Sequence, residues 1–119
     1  MEKGNKVSIW MGSFDSKESF MLFMEEQYDE EGDMSSKFMN AFEIDIIDNQ
    51  FQESLFFEDS LTREQLKQFS YAHSFLDNLE EIDLATFNCV VFIYDIEYNE
   101  AIKIVENMKF IGSFAYSKD

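Results

Sequence analysis

The chain has 119 residues, the size of one domain, and its 45% hydrophobic and 17% aromatic content supplies enough apolar surface to offset chain entropy, which speaks against a disordered chain. Twenty-five acids against 9 bases give a net charge of -16, which disfavours nucleic acid and anionic membranes as partners and favours a basic protein. Cys89 is the only cysteine, so no internal disulfide forms, and its place in an apolar run predicts a reduced, buried thiol in a cytoplasmic setting.

Val7, Ile9 and Met11 alternate with Ser8, Trp10 and Gly12, the period-two pattern of a first strand. Asp15 and Glu18 stand at capping-box spacing, and Phe20, Phe23, Met24 and Tyr28 then recur at helical intervals, predicting a helix over residues 16–28. Residues 29–33 are polar and contain Gly32, and so read as a loop. Met34, Phe38 and Phe42 stack four apart on a short second helix started by Ser35 or Ser36, and the alternation of Phe42, Ile44 and Ile46 predicts a second strand. Residues 51–59 support no assignment.

Leu66, Phe69, Ala72, Leu76 and Leu79 keep helical spacing across 60–84, with Ser70 and Ser74 as places where the helix can break. Residues 88–98 are the strongest strand, continuously apolar through Ile93 as in a central strand covered on both faces. Asn99 is suited to cap a short helix bearing Ala101, Ile104, Val105 and Met108, and a last strand is expected to place Phe110, Phe114 and Tyr116 on one side. The expected architecture is a single α+β domain over residues 1–119, with a mixed or mainly antiparallel sheet of about four strands and helices packed on it. The residues Met1-Glu2-Lys3-Gly4-Asn5 lack a basic region followed by an apolar stretch, and no run reaches about 20 apolar residues, so neither classical export nor a membrane span is expected.

Site chemistry is sparse. In 29–33 the glycine falls fourth, where a calcium loop needs it sixth, and one His with one Cys is too few for structural zinc, so no metal and no cofactor is expected. No phosphate-binding glycine loop or nucleophile elbow is present, and an enzyme built on His73 and Asp95 requires the fold to bring them within hydrogen-bond reach. The expectation is a protein without catalytic residues. What remains is clustered acid: Glu25, Glu26, Asp29, Glu30, Glu31 and Asp33 fall within nine positions without a basic residue, and Asp45, Asp48, Glu53, Glu58 and Asp59 follow on or near the next strand. Such a cluster is commonly just a solvated face, but its self-repulsion is relieved by a basic partner, whose encounter it accelerates. Affinity then needs aromatic anchors, for which Trp10, Tyr28, Tyr94 and Tyr98 are candidates if exposed.

Three stretches carry a family resemblance: Val7-Ser8-Ile9-Trp10-Met11-Gly12-Ser13-Phe14, then Phe69-Ser70-Tyr71-Ala72-His73-Ser74-Phe75, then Tyr94-Asp95-Ile96-Glu97-Tyr98 together with Phe110-Ile111-Gly112-Ser113-Phe114. Residues 28–33 and 42–45 also fit. The ordered set resembles the immunity protein 22 family of bacterial polymorphic toxin systems. The resemblance implies a small cytoplasmic protein that binds and neutralises a cognate toxin domain, often a nuclease. It maps the family's tryptophan-x-glycine element onto Trp10 and Gly12 and its late-strand aspartate onto Asp95. Ala115 stands where the family leads one to expect proline. The functional expectation is an immunity protein whose acidic surface, Glu25, Glu26, Asp29, Glu30, Glu31, Asp33, Asp45 and Asp48, occludes a basic active-site groove. The alternative is a general acidic adaptor that mimics nucleic acid and binds basic proteins. The oligomeric state is left open by the sequence.

Overall fold

The computed structural model describes residues 2–45, 47 and 49–118. Its frame is a five-stranded antiparallel sheet in the order β4-β5-β1-β7-β6, where β1 is Glu2–Gly12, β4 Gln52–Phe56, β5 Cys89–Ile96, β6 Ile104–Val105 and β7 Met108–Ala115. Helices α1 (Lys17–Met24) and α2 (Lys37–Ala41) are joined by a small hairpin of β2 (Gln27–Tyr28) and β3 (Met34–Ser35). Between β4 and β5 lie α3 (Arg63–Leu66) and the 3-10 turns Ala72–Ser74, Leu76–Leu79 and Leu84–Thr86. The fold is α+β, with a fifth strand beyond the four expected.

Alternation along β1 divides the core in two. Val7, Ile9 and Met11 point to one face, where they join Val90, Phe92 and Tyr94 of β5 under Leu66, Phe69, Phe75 and Leu79. Trp10 points to the other, with Cys89, Val91, Ile93 and Met108 under Phe20, Phe23, Phe38 and Phe42. Both β1 and β5 are covered on both faces, and β5 carries the near-continuous apolar run by which it is recognised.

Several elements differ from the sequence expectation. The expected strand over 42–46 does not form: Phe42 caps α2 and Glu43 takes a φ of 57°, which ends any extended run, while Ile46 lies outside the described residues. The strand of that region is β4, in the unassigned stretch. Helix α1 stops at Met24, not Tyr28, and its reciprocal cap is Ser16 with Ser19, one residue past the expected pair. Ser36 caps α2 as expected.

The segment 60–84 is only briefly α-helical, because Ser70 spends its backbone on tertiary bonds: its N–H donates to Glu53 Oε1 (3.0 Å) and its carbonyl accepts from the Tyr94 hydroxyl (2.6 Å). Tyr71 then turns at a φ of 60°. No helix follows Asn99. There the Tyr98 hydroxyl reaches the carbonyls of Phe42 (2.8 Å) and Ile102 (2.9 Å), and β6 turns through Glu106 and Asn107 into β7. In β7 a register shift against β1 puts Phe110 opposite Trp10 and Gly112 opposite Ile9, leaving Ile111 as the extra residue. The bulge therefore sends Phe110 to one core and Phe114 to the other, correcting the expectation of a single side.

Candidate partner-binding surface

Asp29 organises the acidic loop. Its Oδ1 accepts the N–H groups of Glu31 and Asp33, both at 2.9 Å, and Gly32 closes the turn at a φ of 85°. Short polar side chains that bond the backbone two to four residues on make this geometry, and Gly supplies the left-handed step. Tyr28 pairs with Met34 across the hairpin, so the five residues between them form its tip. Glu25, Glu26, Asp29, Glu30, Glu31 and Asp33 are all exposed, as is Asp45 in the loop after α2. Asp48 lies outside the described residues.

Of the four aromatic candidates, Trp10, Tyr94 and Tyr98 are buried, and Tyr28 is 62% exposed. Its hydroxyl donates to Glu26 Oε2 at 2.8 Å, and that bond to a carboxylate, followed by the carboxylate's charge, raises the phenol's pKa. Met21 and Leu22, 57% and 56% exposed, stand on the open side of α1, whose other side buries Phe20 and Phe23. The signal for them was present in the sequence: five consecutive apolar residues at 20–24 are more than one helix face can bury. Residues 21–33 thus present two aliphatic side chains, one tyrosine and six carboxylates to solvent.

Trp10, Gly12 and Asp95 make internal contacts. Trp10 is fully buried, edge-on to Phe38 (5.1 Å between ring centres), Phe42 (6.0 Å) and Tyr98 (5.3 Å). Its indole N–H is buried with no hydrogen-bond partner among the described residues. A Cβ at Gly12 would run into the Asn107 carbonyl oxygen and stand 3.1 Å from the Met108 sulfur, so this position needs glycine for space. Asp95, at a φ of 62°, sits where the register of β1 against β5 slips, facing Asn5 at a φ of 64°. Its Oδ1 accepts the Asn5 N–H (3.1 Å) and the Tyr116 hydroxyl (2.6 Å), while the Tyr116 N–H donates to the Asn5 carbonyl (3.0 Å). Asp and Asn tolerate left-handed backbone better than other non-glycine residues, and the carboxylate satisfies a donor the irregular ladder leaves over.

His73 is exposed in the turn Ala72–Ser74. Among the described residues no group of three or more His, Cys, Asp or Glu side chains is placed to hold a metal ion, and no helix is long and apolar enough to cross a membrane. A family model described as Immunity protein 22 matches residues 7–117. No curated protein and no solved structure matches the chain.

Proposed function

Since the chain belongs to the immunity protein 22 family, we propose that it binds and neutralises a cognate toxin domain, a nuclease whose basic substrate groove is occluded by the acidic surface. The observation that carries this reading is that residues 21–33 expose Met21, Leu22 and Tyr28 together with six carboxylates and contain no basic residue. Carboxylates at that density attract a cationic surface from a distance and orient it, and exposed apolar and aromatic side chains supply contact area once it arrives. Asp45, exposed in the loop after α2, belongs to the same proposed surface. The reading requires no cofactor, nucleic acid or membrane, and it places the encounter in the cytoplasm, where an unguarded toxin would act on its producer.

Co-expression with the protein encoded immediately upstream tests the proposal. Growth should be arrested by that protein alone, restored by this chain, and accompanied by a stable complex of the two. Failure to restore growth, with no complex detected, overturns it. Equal capture of unrelated basic proteins would instead favour the general acidic adaptor.

A further inference from the structure

A cleft of about 340 Å³ opens on the sheet face opposite α1 and α2, lined by Phe51, Glu53, Tyr71, Tyr94, Tyr116 and Lys118 together with Gln50 and Ser70. Its volume is at the small end of ligand pockets, which begin near ~300 Å³, so it suits one side chain better than a nucleotide or a cofactor. The walls are aromatic. Tyr71 lies nearly parallel to Tyr116 (5.6 Å, 29°) and edge-on to Tyr94 (5.8 Å, 87°), and Tyr94 meets Tyr116 at 5.2 Å. Phe51, 43% exposed, stands at the rim.

We infer that this cleft receives the guanidinium of an arginine presented by a protein partner, held on the Tyr71 and Phe51 rings and by the Glu53 carboxylate. The inference rests on the reading that the partner is a basic protein. Three features select a cation. Tyr94 and Tyr116, 4% and 5% exposed, line the cleft with their protons committed to the Ser70 carbonyl and to Asp95, and the half-buried Tyr71 and exposed Phe51 supply the open π-faces. Burial first, then neighbouring carboxylates, push the Tyr94 and Tyr116 pKa values up, which keeps these rings neutral at any physiological pH. Glu53 is fixed by the Ser70 N–H at 3.0 Å and also lies against the Tyr94 hydroxyl, whose pKa it helps to raise, and its two oxygens keep further acceptor capacity.

A planar guanidinium stacks on aromatic rings and forks onto a carboxylate, which an ammonium does less well and an apolar side chain not at all. Tyr71 adds a fourth indication: a bulky residue at a φ of 60° holds a strained backbone, and such strain gathers at binding sites. Lys118, exposed at the same cleft, is a cation whose charge opposes an incoming arginine.

The test is an NMR titration of the intact chain with N-acetyl-arginine amide, and with N-acetyl-norleucine amide as the apolar control. The arginine probe should give saturating shifts at the rings of Tyr71, Tyr94 and Tyr116 and at the Glu53 amide, while the norleucine probe gives none. Glu53→Gln retains an oxygen for the Ser70 N–H and so keeps the fold, and it should weaken binding about tenfold. Lys118→Ala should tighten it. Shifts confined to residues 25–33, equal shifts with both probes, or unchanged binding in Glu53→Gln would overturn the inference. Because no toxin enters this experiment, its failure leaves the growth-rescue result standing, and failed rescue leaves the arginine result standing.

Discussion

Trp10 shows how a residue that looks like a binding anchor serves the fold. Its ring fills the space between α2, Tyr98 and Phe110, and the lone N–H it brings into that space finds no acceptor among the described residues. An unsatisfied buried donor costs about 1–3 kcal/mol, whereas deleting the whole ring from a packed core costs about 3–5 kcal/mol. Trp10→Ala should therefore lower the unfolding free energy in urea by about 3–5 kcal/mol, while Trp10→Phe should lose less than half as much, since removing the orphan donor offsets part of the smaller cavity. Cys89 is the other informative single residue. Desolvation pushes its thiol from an ordinary 9.0 up to about 12, with a backbone hydrogen bond from Gly12 opposing weakly. A folded pKa above the unfolded one means that the stabilisation is fully present below pH 9 and is lost as pH rises towards 12, at up to about 1.4 kcal/mol per pH unit. Denaturation midpoints should fall across that window in the native chain and fall less steeply in Cys89→Ala. Iodoacetamide at pH 8 should label Cys89 only after unfolding.

Elements that are long and buried declare themselves in the sequence, and short exposed ones do not. The β1 alternation, the apolar run of β5 and the spacing of Phe20 with Phe23 all follow from burial against a layer, so their patterns survive into the structure. Strands β4 and β6 form the two edges of the sheet, where half the backbone is unpaired and the side chains are mixed, which leaves no period to read. The β6–β7 turn was hidden for a different reason: Glu106 takes a φ of 50° where glycine or asparagine usually announces the step. The β2–β3 hairpin, by contrast, was partly legible, since Asp29 and Gly32 mark its tip while its two-residue strands are too short to show alternation. The structure adds exposed Tyr28 at its base, and this gives a prediction at the scale of the element. Tyr28→Ala should leave urea unfolding within about 0.5 kcal/mol of wild type, as expected for an exposed site. It should speed dissociation from the toxin several-fold with little change in the association rate, because aromatic anchors act mainly after docking.

Across the whole molecule, charge and packing occupy different places. The two apolar cores hold Trp10 and most of the aromatic side chains of the stretches that carry the family resemblance. The surplus of 16 negative charges and the run of six acids within nine positions were legible in the sequence alone, but the hairpin that carries part of that run was not, because the 16–28 pattern reads as one helix. Exposed ion pairs such as Arg63–Asp77 and Lys67–Glu64 lie on the α3 side of the molecule and contribute little to stability, so charge here concerns encounter more than folding. The most direct measurement is the stopped-flow association rate with the cognate toxin, wild type against the triple variant Glu30→Lys, Glu31→Lys, Asp33→Lys, at low and high salt. The variant should associate at least about tenfold more slowly at low ionic strength, with the gap closing near ~0.5 M salt as the Debye length shrinks. Equal rates at low salt would contradict the account and move the contact to another face.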